Sequence, residues 1–370
     1  MGYIALGDLI SKAQVEKCGK REYPVLSMTM HDGIVFQNDR FKKDIASIDR
    51  SNYSVVGFNQ LVVSFPIDEG VLAVQDITDA GIVSPAYKIW DIDQAKLVPK
   101  YLEMWLRSPR SIDYYKSKLR GTTARRRSIP EEDFLGMRVN VLPMEEQERI
   151  VDLITRVNGV ILLRKQQLSA LDDLIKARFV EMFGTFPSNE KGWPTGTIRD
   201  LVTEVRYGSS RKAAEGDSGK YPYLRMNNIT YSGELDLSDT KTIDIPDEEL
   251  DKCTVRRGDL LFNRTNSKEL VGKTCVYNRD ELMVLAGFVV RVRLNEKALP
   301  EFVSAFMNTT FSKQMLLGMC KAAIGQANIN AQELQNIGIY IPPIELQREF
   351  VSFKEQIDKS KFTTSEVSWR

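Results

Sequence analysis

Histidine is almost missing from this chain: His31 is the only one in 370 residues. A single imidazole excludes the paired-histidine metal sites of hydrolases and leaves one such group at most for acid–base work. Its neighbours Met30 and Asp32 place it in a turn or on the surface. The four cysteines, Cys18, Cys253, Cys275 and Cys320, lie far apart with no Cys-x-x-Cys pair. That spacing indicates neither a zinc knuckle nor a disulfide framework, and they read as reduced, partly buried thiols. No apolar run approaches the roughly 20 residues that span a bilayer, and no basic stretch followed by a long apolar one opens the chain. Gly2 is followed by Leu6 where a myristoylation signal needs Ser or Thr, so the expectation is a cytoplasmic protein without a membrane partner. Net charge is missing too, with 51 Lys plus Arg against 50 Asp plus Glu. Any surface for nucleic acid is therefore local, since steering depends on where charges sit.

The motifs of catalysis are equally sparse. Ser267-Lys-Glu-Leu-Val-Gly-Lys-Thr274 resembles a phosphate loop, but Ser267 stands where the first glycine must be. There is no Gly-x-Gly-x-x-Gly and no Asn/Asp-Pro-Pro-aromatic motif of an adenine methyltransferase, and the carboxylates form no metal-nuclease grouping. The sequence points to binding rather than catalysis, with no catalytic residue, no metal and no cofactor on this chain.

What the chain has is a repeat. Leu142-Pro-Met-Glu-Glu-Gln-Glu-Arg-Ile-Val151 returns as Pro342-Pro-Ile-Glu-Leu-Gln-Arg-Glu-Phe-Val351, shifted by 200 positions. Upstream, Ile129, Phe134, Met137, Val139 and Val141 are answered by Ile329, Leu334, Ile337, Ile339 and Ile341. Looser matches pair Leu6, Asp8 and Leu9 with Ile198, Asp200 and Leu201, and Tyr23-Pro-Val-Leu26 with Tyr221-Pro-Tyr-Leu224. A period this long is not a solenoid repeat, because each copy can hold a core of its own. Two domains follow.

Both copies have an α+β texture. Short β-like runs at 53–58, 61–65 and 71–74 precede a helix at 99–106; the second copy offers strands at 260–263 and 283–292 and a helix at 300–307. Each ends in an alternating apolar run, at 137–142 and 337–341. After Pro143 the period becomes helical: Ile150, Leu153, Val157, Val160, Leu168, Leu171, Ile175, Phe179 and Met182 recur at steps of three, four or seven. A helix over 144–183 would be a rod of about 60 Å, with Gly159 as the place for a kink. A second helix starts at Ile344, with Phe350, Phe353 and Ile357 on one face, and the two seams are expected to pair antiparallel.

The polar clusters suit a polynucleotide. Arginine matches the guanine edge and asparagine the adenine edge through two hydrogen bonds, while hydroxyls and backbone amides hold phosphates. In the second copy the candidates are Arg206, Ser209, Arg211, Lys212, Arg225, Asn227, Asn228, Asn263, Arg264 and Asn266, with Gly325, Gln326 and Asn328 from a loop that also carries a glycine in the first copy. The first copy offers Lys42, Lys43, Arg120, Arg125, Arg126 and Arg127. Any one of these segments alone is better read as solvated surface; together they favour a polynucleotide.

Two divergent α+β units, each ending in a proline-tipped strand that runs into Glu-x-Gln-x-x-(Ile/Phe)-Val and a helix, resemble the specificity subunit of type I restriction-modification systems. Glu145-Glu-Gln-Glu-Arg-Ile-Val151 and Ile341-Pro-Pro-Ile-Glu-Leu-Gln347 carry the resemblance, supported by Gly325-Gln-Ala-Asn-Ile-Asn330 and Gly258-Asp-Leu-Leu-Phe-Asn263. It implies two tandem target recognition domains, 1–143 and 185–343, each reading half of a split DNA sequence. It implies a spacer helix at 144–184 and a second helix with its tail at 344–370. It further implies two modification subunits docked at the helical motifs, for which Glu145, Gln147, Arg149, Glu345 and Gln347 are the candidates, and a restriction subunit. S-adenosylmethionine for adenine-N6 methylation and ATP with magnesium for cleavage would reside in those partners. The second helix is shorter than the pattern leads one to expect, as in a truncated or silent allele. The alternatives are the recognition part of a single-chain restriction-methylation enzyme and a coiled-coil adaptor that binds only proteins.

Overall fold

A computed structural model describes residues 2–40, 49–119, 129–215, 218–320 and 326–366. The chain divides into two compact units, Met1–Ile161 and Leu162–Arg370, and the division falls inside one helix, Met144–Phe183. That helix starts directly after Pro143, with Glu145 and Glu146 in its first turn, where carboxylates complement the exposed amide groups. It runs unbroken through Gly159 in place of the expected kink. A glycine in a helix interior costs about 1 kcal/mol relative to alanine, too little to interrupt forty bonded residues. Gly184 ends it, with φ at 81° and its N–H donated to the Val180 carbonyl at 2.8 Å.

The first unit is built on a four-stranded antiparallel sheet in the order Ile10–Lys12, Lys88–Ile92, Leu61–Val63, Leu72–Val74. Its first strand, Gly2–Ala5, pairs antiparallel with its last, Arg138–Val141. The helices Pro99–Leu106 and Pro109–Lys118 cover the sheet, the second capped by Ser108, which accepts from the Ser111 N–H at 3.3 Å. Their apolar faces, with Leu102, Leu106 and Tyr115, close the core over Leu61, Leu72 and Trp90.

The second unit repeats this plan. Its sheet runs Val202–Tyr207, Val289–Leu294, Leu260–Asn263, Thr274–Val276, with every neighbouring pair antiparallel. Thr195–Thr197 pairs with Gly338–Tyr340 as the outer strands of the first unit do. Pro300–Met307 and Thr310–Met319 are the covering helices, and Thr309 caps the latter by accepting from the Ser312 N–H at 3.3 Å. The matched apolar positions are those that fill the two cores: Leu6, Phe134, Met137 and Val139 in one, Ile198, Leu334, Ile337 and Ile339 in the other. Even the closing bonds correspond, Leu6 N–H to Met137 O at 2.8 Å and Ile198 N–H to Ile337 O at 2.9 Å. The α+β expectation is thus borne out. The strand expected over 283–292 is two strands, Met283–Leu285 and Val289–Leu294, because the chain turns at 286–288 from a second sheet, which also holds Tyr221–Leu224, into the main one.

Within the second unit the end of the long helix packs against the C-terminal helix, Ile344–Glu366. Phe350 meets Phe179 at 5.2 Å and Phe183 at 5.7 Å between ring centroids. Arg178 bonds Glu349 at 3.1 Å, and Lys361 bonds Asp172 at 2.5 Å, so the pair is antiparallel. Among the described residues no helix is long and apolar enough to cross a membrane.

Candidate nucleic-acid interface

Three of the polar segments of the second unit meet at one place. Leu260–Asn263 continues into Thr265–Asn266, which pairs antiparallel with Ala327–Asn328. Between them the backbone of Arg264 is fixed on both sides: its N–H donates to Phe288 O at 2.9 Å and its carbonyl accepts from Ile329 N–H at 2.8 Å. That anchoring puts the guanidinium over the ring of Tyr207, 4.9 Å from its centroid, in cation–π contact. Tyr207 is held in turn by the Ala331 N–H, which donates to its hydroxyl at 3.0 Å. Thr265 Oγ1 donates to Asn328 Oδ1 at 2.8 Å, leaving the Asn328 amide nitrogen without a partner among the described residues. Gln326 and Asn328 are exposed, Asn266 is half-buried, and Tyr207 and Phe288 remain 45% and 53% exposed. The surface so formed offers one cation, several amides and two open ring faces, the groups that contact phosphates, base edges and base faces.

Gly208 explains how the first segment reaches this place. A Cβ there would overlap the carbonyl oxygens of Leu285 and Ala286, so only glycine lets the chain leave the Val202–Tyr207 strand against that turn.

Several candidates fall elsewhere. Asn228 is buried and spent: its Oδ1 accepts from Arg225 N–H at 2.8 Å and its Nδ2 donates to Asp236 O at 2.8 Å. Asn263 is fully buried, with Oδ1 accepting from Thr265 N–H at 3.3 Å. Ser209 is buried and accepts from Arg211 N–H at 3.2 Å. These three are withdrawn from the interface, because a side chain without accessible atoms cannot touch a duplex. Arg211 forms a two-point pair with Glu249 at 2.6 and 3.2 Å, Arg225 pairs with Asp239 at 3.0 Å, and Arg206 with Glu204 at 3.1 Å. Burial works against the Glu204 carboxylate, yet Arg206, Arg291 and Arg293 hold it below the ordinary range. Lys212 and Asn227 are exposed and unconnected to the cluster. Lys42, Lys43, Arg120, Arg125, Arg126, Arg127 and Gly325 lie outside the described residues.

The docking candidates divide as well. Gln147 is fully buried and closes three bonds: its Nε2 donates to Lys96 O and Leu142 O, both at 2.8 Å, and its Oε1 accepts from Val98 N–H at 2.9 Å. Gln347 repeats this with Lys297 O at 3.0 Å, Pro342 O at 2.9 Å and Leu299 N–H at 2.9 Å. The repeated glutamine is therefore an internal pin between a helix start and the loop before Pro99 or Pro300, and the sequence expectation of a docking role is corrected. Glu145, Arg149 and Glu345 are exposed. Sequence reasoning passed over Tyr207 and Phe288, for an aromatic residue gives no sign in sequence of being left open.

Residues 190–367 match the family described as the type I restriction modification DNA specificity domain. The chain is 24% identical over 245 residues to the type I restriction enzyme EcoKI specificity subunit of Escherichia coli (strain K12), covering 62% of this chain and 52% of that protein. It thus spans about half the length of this curated relative. A solved structure described as the basis of complex assembly and conformational transition of the type I R-M system covers 99% of this chain and 93% of its own, with a TM-score of 0.54 and 17% identity. The type I restriction-modification S subunit from M. genitalium covers 98% of this chain and 91% of its own, with a TM-score of 0.52 and 13% identity, a likeness of fold. Residues 190–367 thus match a DNA specificity domain of the restriction-modification class, and the whole chain shares the fold of the solved structures. Over those residues this chain is similar to the type I specificity subunits.

Proposed function

We propose that the chain reads a split duplex sequence, one half through each unit, and carries that choice to partner subunits that do the chemistry. The observation that carries this reading is the convergence of Arg264, Asn266, Gln326 and Asn328 around the open rings of Tyr207 and Phe288, inside the domain matched to DNA specificity. In this reading residues 1–143 and 185–343 are the readers, 144–184 and 344–370 the spacing and docking helices, and Glu145, Arg149 and Glu345 part of the surface for two modification subunits. Those subunits supply S-adenosylmethionine and methylate adenine N6, and a restriction subunit supplies ATP-driven cleavage with magnesium, in the cytoplasm. Lys42, Lys43 and the arginines at 120 and 125–127 are the proposed phosphate contacts of the first half. Methylome sequencing of cells that express the chain with its modification partner tests it: a split adenine-methylated motif is expected, and failure to bind or direct methylation to any duplex would sink the reading.

A further inference from the structure

The second unit holds two lysines whose charge no carboxylate among the described residues neutralises. Lys273 is 7% exposed, and its ammonium donates to the Met226 carbonyl at 2.8 Å. Lys313, on the Thr310–Met319 helix, reaches the Gly272 carbonyl at 3.5 Å and lies 4.9 Å from the centre of the Tyr231 ring. Among the described residues neither has a carboxylate in ion-pair distance; each is held by neutral acceptors. Taking a cation out of water without a counter-charge is unfavourable, so such groups are normally paired. Lys313 lines an open pocket of about 430 Å³ whose other walls include Lys176, Lys268, Glu269, Tyr231 and Gln314. Lys176 is already paired with Asp173 at 3.0 Å, which leaves Lys268 and Lys313 facing a single acid, Glu269.

One wall of the pocket lies close to the interface along the chain. Lys268 follows Asn266 by two residues. The first turn of the helix carrying Lys313 has no acidic residue, so its amide ends add to the positive field. Gly233, with φ at 90°, sets the turn beside Tyr231 against the Asn308 side chain and so fixes the remaining wall.

We propose that this pocket is a phosphate subsite, with Lys313 and Lys268 as its ligands and Lys273 as a buried positioning charge, and that its occupant is a backbone phosphodiester of the duplex beside the half-site read by the second unit. The proposal rests on the DNA-reading function above. A bound phosphate supplies the missing counter-charge without carrying sequence information, so it adds affinity at every sequence alike. Burial, with Lys273 adding to it, pushes the Lys313 amine down to about 8, and a phosphate requires it protonated. Affinity should therefore fall as pH rises through that value. The groups around it are Lys176, Lys268, Glu269, Lys273 and Tyr231, and Lys273 is itself lowered by burial.

The test is duplex binding by the full chain, measured by fluorescence anisotropy against salt and pH, for the wild type, Lys313→Met, Lys313→Arg and Lys268→Ala. Removal of one phosphate contact is expected to weaken binding several-fold on cognate and unrelated duplexes alike, and to flatten the slope of log K against log salt by about one. Lys313→Arg should restore the slope and abolish the loss of affinity between pH 7 and 9. Lys313→Met should leave the unfolding midpoint unchanged or raised, because it removes an uncompensated charge; a lowered midpoint with the wild-type salt slope would mark a structural lysine and overturn the proposal. Wild-type binding with unaltered slopes in both Lys313→Met and Lys268→Ala also overturns it. A wild type that binds no duplex fails the DNA reading instead. Inorganic phosphate is the second arm: competition by millimolar phosphate that spares the duplex slope assigns the pocket to a free anion and refutes the phosphodiester.

Discussion

Gln147 and Gln347 each satisfy two carbonyls and one amide in the interior, at the junction of a proline-started helix and the helical motif. Truncation leaves those groups buried and unbonded, at about 1–3 kcal/mol for a typical unsatisfied group. Gln147→Ala and Gln347→Ala are expected to lower stability by about that much in urea titrations, whereas Glu145→Ala and Glu345→Ala, on exposed first-turn positions, should cost less, about 0.3–1 kcal/mol. In the interface, Asn328 has its oxygen fixed by Thr265 and its amide nitrogen available. Asn328→Ala is expected to relax the choice of base at one position by about 1–3 kcal/mol, read from competition between duplexes varied at single positions. Arg225→Ala should leave that choice intact, since Arg225 is bound to Asp239. Residue types had already suggested these chemistries. Residue fates had not: Asn228, Asn263 and Asn266 look alike in sequence, yet only Asn266 keeps an exposed part, because a side chain's burial depends on which strand turns over it.

At the scale of elements, the end of the long helix and the C-terminal helix share an aromatic seam of Phe179, Phe183 and Phe350, closed by Phe302. Phe350 is fully buried, so Phe350→Ala is expected to cost about 3–5 kcal/mol in chemical denaturation and to expose the C-terminal helix to hydrogen exchange. A salt cluster at the other end of the pair can be separated from this packing by pH. Burial works to lower the Lys361 amine, but Asp172, Glu234 and Asp358 outweigh it and hold it above its usual range. A folded value above the unfolded one, about 10.5, means that the contribution is complete below that pH and is lost as pH rises through the folded value. The wild type should lose stability above about pH 10 more steeply than Lys361→Met. Both helices and their apolar stripes were legible, with starts at Met144 and Ile344, since helical periodicity is a local property. The helices Pro109–Lys118 and Thr310–Met319 were not anticipated, because their few buried positions, such as Tyr115 and Leu316, make a weak pattern on a polar surface.

For the whole molecule, two compact units with the same strand order and matched closing bonds make exchange of parts the natural experiment. Replacing residues 193–343 with the equivalent unit of a type I specificity subunit should change one half of the methylated motif and leave the other, as read by methylome sequencing. A change in both halves would refute independent readers. The nearly equal numbers of acids and bases conceal a local imbalance, and salt dependence of binding by the intact chain should report the local surface.

The sequence by itself determined the duplication, the α+β class and the long helix, because periodicity, spacing and residue type are written along the chain. Tertiary structure alone decided which polar residues face outward, that the repeated glutamines are internal pins, and that Arg264, Tyr207 and Asn328 meet. Those outcomes depend on pairing between Thr265–Asn266 and Ala327–Asn328, some sixty positions apart, and on the turn at Gly208. Contacts so distant leave no local periodicity to read.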